Sequence, residues 1–213
     1  MQIVNKSYFS KSNALNIPLA VENPSATVST STPDNSAYLD NLCIAIEKDL
    51  LSNALGLVLY NELKALTTTT IDNVGNERWK KLVQGTEYNG KIWVGLNNDL
   101  TFIAQRIYET FITDTTKRLS AVGVSKVNSE NSTLESPLYK IANANQLFIK
   151  GYQNGYLITP DIYENFVDWF GNNNDINVSF YQYLIDNILE FPEFEISKFK
   201  IYCQDEVKNS FGI

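Results

Sequence analysis

The chain reads as an all-α protein, a helical bundle of about five to six helices with an extended N-terminal arm and a C-terminal tail. Three observations predict this. Apolar residues recur at spacings of three and four through most of the chain, the signature of one face of a helix. Glycine and proline punctuate those stretches, with Gly85, Pro137, Pro160, Gly171 and Pro192 standing at their edges. With 213 residues, 44% of them hydrophobic, the chain can bury a substantial core in one domain or one domain plus arms. The organisation expected is an arm over 1–33, a helical bundle over 34–192 and a C-terminal helix or tail over 193–213.

In the arm, Ile3, Val4, Tyr8 and Phe9 precede Asn16-Ile17-Pro18 and a Ser/Thr-rich tract from Ser25 to Thr32. This composition fits an extended segment, with a short strand, whose few apolar residues anchor on something else. An unanchored terminus fits it equally. On the first reading the helical body folds without residues 1–20.

Helical patterning begins after Pro33, with Thr32 or Asp34 as N-cap. Leu39, Leu42, Ile46 and Leu50 line one face, Gly56 interrupts, and Leu57, Leu59, Tyr60 and Leu63 resume the pattern to about Ala65. The prediction is two helices broken at one glycine, with Glu47, Lys48 and Asp49 on the solvated side. The β-branched run Thr67–Thr70 ends the second helix, and Asp72–Asn76 reads as a turn. A short helix over Glu77–Val83 carries Trp79 and Leu82 and stops at Gly85. Gly90 and Gly95 bracket Ile92-Trp93-Val94, read as a small apolar anchor inside a loop.

Leu100, Ile103, Ile107 and Phe111 mark a long helix, with Gln105, Arg106, Glu109 and Asp114 on its other faces. Phe102, Tyr108 and Ile112 make it apolar on more than one side, which implies burial between several partners. Ala121–Thr133 reads as a long exposed loop or hairpin. Ser136-Pro137 then starts a helix carrying Leu138, Ile141, Phe148 and Tyr152 to about Gly155, and Thr159-Pro160 starts another through Ile162, Tyr163, Phe166, Val167 and Phe170 to Gly171. Asn172–Asp175 has the composition of a calcium loop but lacks its glycine and distal glutamate, so it is taken as a turn. Phe180, Leu184 and Ile188 mark the last clear helix, ended by Pro192. From Phe194 onward the pattern fits either a helix or short strands, with helix favoured, before an extended Asn209–Ile213 end whose apolar groups dock onto a partner or the body.

Composition closes several functional classes. The 17 Lys+Arg against 24 Asp+Glu leave a net charge of −7, so nucleic acid meets overall repulsion and no sequence-specific DNA binding is expected. The chain contains no histidine, which removes the commonest general base, every Ser-His or Cys-His dyad and the commonest zinc ligand. Carboxylate-only chemistry, through paired acids or magnesium, stays open, yet no acidic pair stands out from the rest. No phosphate-cradling glycine spacing occurs. Cys43 and Cys203 lie far apart in no metal or redox spacing and are expected as buried, reduced thiols. The N-terminus lacks an apolar signal core, and no apolar run is long enough to span a membrane. No residue is singled out as catalytic, cofactor-binding or metal-ligating.

The order of these landmarks resembles the head-to-tail connector (adaptor) proteins of tailed bacteriophages, most closely the crAss-like phage type. The residues that carry the resemblance are Ile46-Glu47-x-x-Leu50 running into Leu55-Gly56-x-x-Leu59-Tyr60-x-Glu62-Leu63, then Trp79-Lys80-Lys81-Leu82 with Gly85. The helix around Tyr108, the Val122-Gly123-Val124 loop, Ser136-Pro137 with Lys140 and Asn145, and the terminal Asn209–Ile213 complete the series. The likeness covers most of the chain from about Ala37 and only loosely its first 33 residues.

The resemblance implies a noncatalytic virion structural protein, located at the head-to-tail junction and assembled in the host cytoplasm. It implies a homo-oligomeric ring, a dodecamer, contacting the portal protein and further tail or ring proteins, through which packaged DNA passes without sequence-specific binding. A net-acidic subunit suits such a channel, since repulsion lets a polyanion slide where a basic wall would hold it. The 12 tyrosines, 11 phenylalanines and 3 tryptophans offer aromatic surface for ring interfaces, or else fill the core. Two other classes remain: a carboxylate- and Mg-dependent nucleic-acid enzyme, and a transient assembly chaperone.

Overall fold

The computed structural model describes residues 1–10, 15–17, 20, 35–98, 101–116, 118–120, 123–125, 138–153 and 177–202. Their secondary structure is mainly helical, as the periodicity predicts. The first helix, α1 (Asn35–Ala65), is two helices joined at Gly56, whose backbone adopts φ 77° and ψ 164°. That region of conformational space is essentially reserved for glycine, because a Cβ collides with the chain's own carbonyl. The two arms fold back on each other at this point. Lys64 Nζ lies 3.6 Å from Glu47 Oε1, whereas a straight helix would separate the two residues by about 25 Å along its axis. The predicted break is therefore a true reversal.

The buried stripe of the long arm is Ser36, Leu39, Cys43, Glu47, Leu50 and Ala54, while Leu42 and Ile46 sit on its flank, partly buried. Glu47 corrects the sequence reading. It was expected on the solvated side with Lys48 and Asp49, which are exposed, but Glu47 is only 1% exposed. Its Oε2 accepts the backbone N–H groups of Ile3 at 2.8 Å and Val4 at 2.9 Å. An ionisable group enters a core when it is this well hydrogen-bonded.

Those bonds belong to a strap. Residues 1–10 run along α1, ending in a 3-10 turn at Lys6–Ser10. Met1 N donates to Lys64 O at 2.6 Å, and Lys64 Nζ donates to Met1 O at 3.3 Å. At the other end Lys6 Nζ reaches Asp40 Oδ2 and Ser36 Oγ. Val4, Phe9, Leu15 and Ile17 are buried in the same core as the helices. The anchor expected on something else is thus this chain's own body, and a body without residues 1–20 would lose part of its interior.

Helix α2 (Glu77–Gln84) buries Trp79, Leu82 and Val83 and stops at Gly85, as read. The Ile92-Trp93-Val94 loop is a correction: β1 (Thr86–Tyr88) and β2 (Lys91–Trp93) form an antiparallel hairpin pairing Thr86 with Trp93. Asn89-Gly90, both with positive φ, supplies the turn that a two-residue hairpin demands. Gly85 and Gly95 then allow the end of α2 and the exit of β2 to touch backbone to backbone. A Cβ on Gly95 would fall 2.6 Å from Val83 O.

Helix α3 (Phe102–Thr116) packs most extensively on α4 (Leu138–Gln153) and also on α1, so it is buried between several partners. Gln105 and Glu109, expected on outer faces, are buried at 1% and 7% exposure. Within the segment predicted as a loop or hairpin, β4 (Gly123–Ser125) pairs with β3 (Arg118–Ser120), which lies just before it. Helix α5 (Phe180–Asp186) is capped by the Ser179 hydroxyl, which accepts from Gln182 N, and ends in turns well before Pro192. Beyond it the favoured tail helix is absent among the described residues. A single 3-10 turn at Ile196–Lys198 lets Phe194, Phe199 and Tyr202 enter the core, and Gln153 fixes the strand-like exit by bonding both Tyr202 N and Tyr202 O. Leu100, the two Pro-started N-caps, the helix expected over 159–171, Asn172–Asp175, Cys203 and the 209–213 end lie outside the described residues.

Gly56→Ala should lower stability by about 1–3 kcal/mol through backbone strain alone, since nothing lies within 4 Å of its Cβ position. Gly95→Ala should cost more, because strain is joined by a backbone collision. Urea unfolding midpoints of the two variants test this order.

Candidate interaction surface

The apolar residues of the short arm of α1 point to both sides of the helix. Leu59, Tyr60 and Leu63 are buried, while Leu57 is 69% and Val58 61% exposed. A helix that is apolar all round is normally covered all round. One turn beyond Val58, Glu62 accepts a charge-assisted hydrogen bond from Arg78 Nη2. Arg78 Nη1 also donates to Glu190 O at 2.9 Å, and Lys81 Nζ bonds Glu190 Oε1 at 2.6 Å. The guanidinium lies over Trp79, 4.9 Å from its ring centre, and over Phe191 at 5.7 Å. This bolt joins α1, α2 and the turn after α5. Exposed aliphatic groups stand near its members in sequence: Val58 one turn before Glu62, Leu189 at 94% exposure beside Glu190, and Val74 at 98% in the turn leading to α2.

The aromatic side chains behave differently from the interface reading. Trp93 stacks on Phe180 and Tyr183, Phe102 stacks on Phe180, and Tyr152 stacks on Phe148 and Phe199. All of these are buried. Among described residues the large aromatic groups chiefly build the core, and the exposed large groups are mostly aliphatic, with Tyr139 at 80% the main exception.

The acids are dispersed among cations. Asp40 pairs with Lys6, Asp72 with Lys80, Glu109 with Arg106 and Glu195 with Lys198. Asp186 accepts from Lys91 Nζ at 2.7 Å, Gln182 Nε2 at 2.8 Å and Tyr88 OH at 3.0 Å. Burial pushes its carboxyl up, but these three donors outweigh it and hold the pKa below the ordinary value. Among the described residues no group of three or more His, Cys, Asp or Glu could hold a metal ion, and no helix is long and apolar enough to cross a membrane. The buried role of Glu47 was legible in principle, since it continues the spacing Leu39, Cys43, Glu47, Leu50 on one helical face. A charged neighbourhood hid it.

No protein-family model matches this chain, and no curated protein and no solved structure is significantly similar to it.

Burial pushes the Cys43 thiol up to about 12, helped by the charges of Asp40 and Glu47. The Tyr38 phenol is also raised to about 12, by desolvation and then by its hydrogen bond to Asp114, and burial raises Tyr88, Tyr152 and Tyr183. Each of these groups holds its proton longer when folded. Their contribution to stability is complete below the ordinary thiol value of 9.0 and drains as pH climbs toward about 12. Urea midpoints should therefore fall steadily above about pH 9. Cys43 should resist iodoacetamide in the native protein and react after unfolding, read by peptide mass.

Proposed function

We propose that this chain is a noncatalytic virion structural protein, a head-to-tail connector that forms an oligomeric ring, a dodecamer, between portal and tail. The observation that carries the reading is the short arm of α1, apolar on both sides and covered by its own chain on one. A second copy or a portal subunit laid against Leu57 and Val58 would remove that apolar surface from water at about 25 cal/mol per Å². The Gly56 reversal that creates this arm coincides with the Leu55-Gly56-x-x-Leu59-Tyr60 segment, one of the ordered landmarks that carry the resemblance to phage connectors. The net charge of −7 is compatible with a channel that lets DNA pass and does not hold it. Rings of this kind would form in the host cytoplasm and reside at the capsid vertex of the virion.

Native mass spectrometry and electron microscopy of the protein mixed with its portal test the reading. A protein that stays monomeric and never joins the portal overturns it. Leu57→Glu and Val58→Glu should leave the monomer's unfolding free energy within about 0.5 kcal/mol of the parent, as surface changes do. The same variants should abolish the higher-order species.

A further inference from the structure

The strap along α1 spans a joint. Ile3 and Val4 are held by Glu47 on the long arm, Lys6 by Asp40 and Ser36 further along that arm, and Met1 by Lys64 on the short arm. Gly56 lies between the two sets of anchors. At the joint itself nothing among the described residues stands within 4 Å of the position a Cβ on Gly56 would take, while Leu55 and Leu59 on either side are buried, so that burial and the strap together hold the angle between the arms.

We propose that residues 1–10 form a latch that sets the angle at Gly56, so that releasing the strap swings the short arm and changes how Leu57 and Val58 are presented. Glu47 provides the coupling. Its carboxylate is 1% exposed and its Oε2 is satisfied by two strap amides. With the strap gone, that oxygen would be an unpaired acceptor in the core, a state too costly to persist. Water must then reach it, and the groups that close Glu47 off are the strap amides and Lys64 of the short arm, which also holds Met1. Loss of the strap therefore loosens Lys64 as well, and with it the short arm. The remaining ties of the short arm are the exposed side of the Arg78 bolt at Glu62, a weak surface pair, and the burial of Leu59, Tyr60 and Leu63, which makes the closed form the resting state. This inference does not depend on the ring reading, because it concerns two conformations of one chain.

The test uses the full-length protein with Cys203→Ser, spin-labelled at Lys48→Cys and Asn61→Cys, two exposed positions on opposite arms. Glu47→Gln keeps an oxygen acceptor and should give the parent's inter-label distance distribution. Val4→Pro deletes one of the two amide donors, keeps the Glu47 carboxylate and touches no helix. It should lengthen and broaden that distribution and accelerate tryptic cleavage after Lys6 at least tenfold, with the helical circular-dichroism signal retained. Should Val4→Pro fail to fold, Ile3→Pro deletes the other donor and carries the same expectation. Faster cleavage with an unchanged distance distribution overturns the latch, as does a lengthened distance with protected Lys6 or no change in either reading.

Discussion

A buried carboxylate that accepts two consecutive backbone amides organises the first third of this protein. Glu47 lies on the inner stripe of α1, where its neighbours along the helix are Cys43 and Leu50. A charge in that position is tolerable only while its hydrogen bonds are made. The donors come from Ile3 and Val4, which are more than forty positions away in the chain. The N-terminal segment is thereby bound to the helix by polar necessity as well as by apolar contact. Phe9, Leu15 and Ile17 follow it into the interior. Lys64, reaching the same carboxylate from beyond Gly56, ties the reversal of α1 into the same arrangement.

The second organising element is aromatic. Trp93, Phe180, Tyr183, Phe102, Tyr152 and Phe199 form a continuous set of ring contacts that draws on the first hairpin, α3, α4, α5 and the tail. Flat rings pack at many angles, which lets elements of very different length share one core. The Tyr152 and Tyr183 hydroxyls are buried without a hydrogen-bond partner among the described residues, a cost the ring contacts around them must outweigh. Because the aromatics are consumed inward, the large apolar groups exposed among the described residues are mostly aliphatic, with Val74, Leu189, Leu57 and Val58 the most exposed of them. Some of the acids act as fasteners between elements, as Glu47 does for the strap, Glu62 and Glu190 for α2, and Asp186 for the first hairpin.

The elements themselves were largely legible. The break at Gly56, the α2 stop at Gly85, the central α3 and the start of α5 all follow from periodicity and punctuation, which act within a few residues of one another. Three of the readings that failed did so for related reasons. Glu47 was assigned to solvent by its charge, because the amides that satisfy it lie outside any local window. Ile92-Trp93-Val94 reads as an anchor inside a loop, although Asn89-Gly90 is a strong turn signal, because the strands of the hairpin are only three residues long and show no alternation to count. The tail was given a helix because Ile196, Phe199 and Cys203 keep helical spacing, whereas burial of Phe194, Phe199 and Tyr202 is bought by an irregular path fixed by Gln153.

What the amino-acid sequence determined alone is the helical class, the positions of the helix breaks, and a chain with no histidine and an excess of negative charge. These depend on side-chain type and short spacing, and a single chain states them outright. Tertiary structure alone decided that the N-terminal arm belongs to the core, that a glutamate is its anchor, and that apolar groups remain on the outer side of the short arm. Such outcomes depend on which distant backbone and side-chain atoms come within a few ångströms of each other, and hydrogen bonding and burial act only at that range.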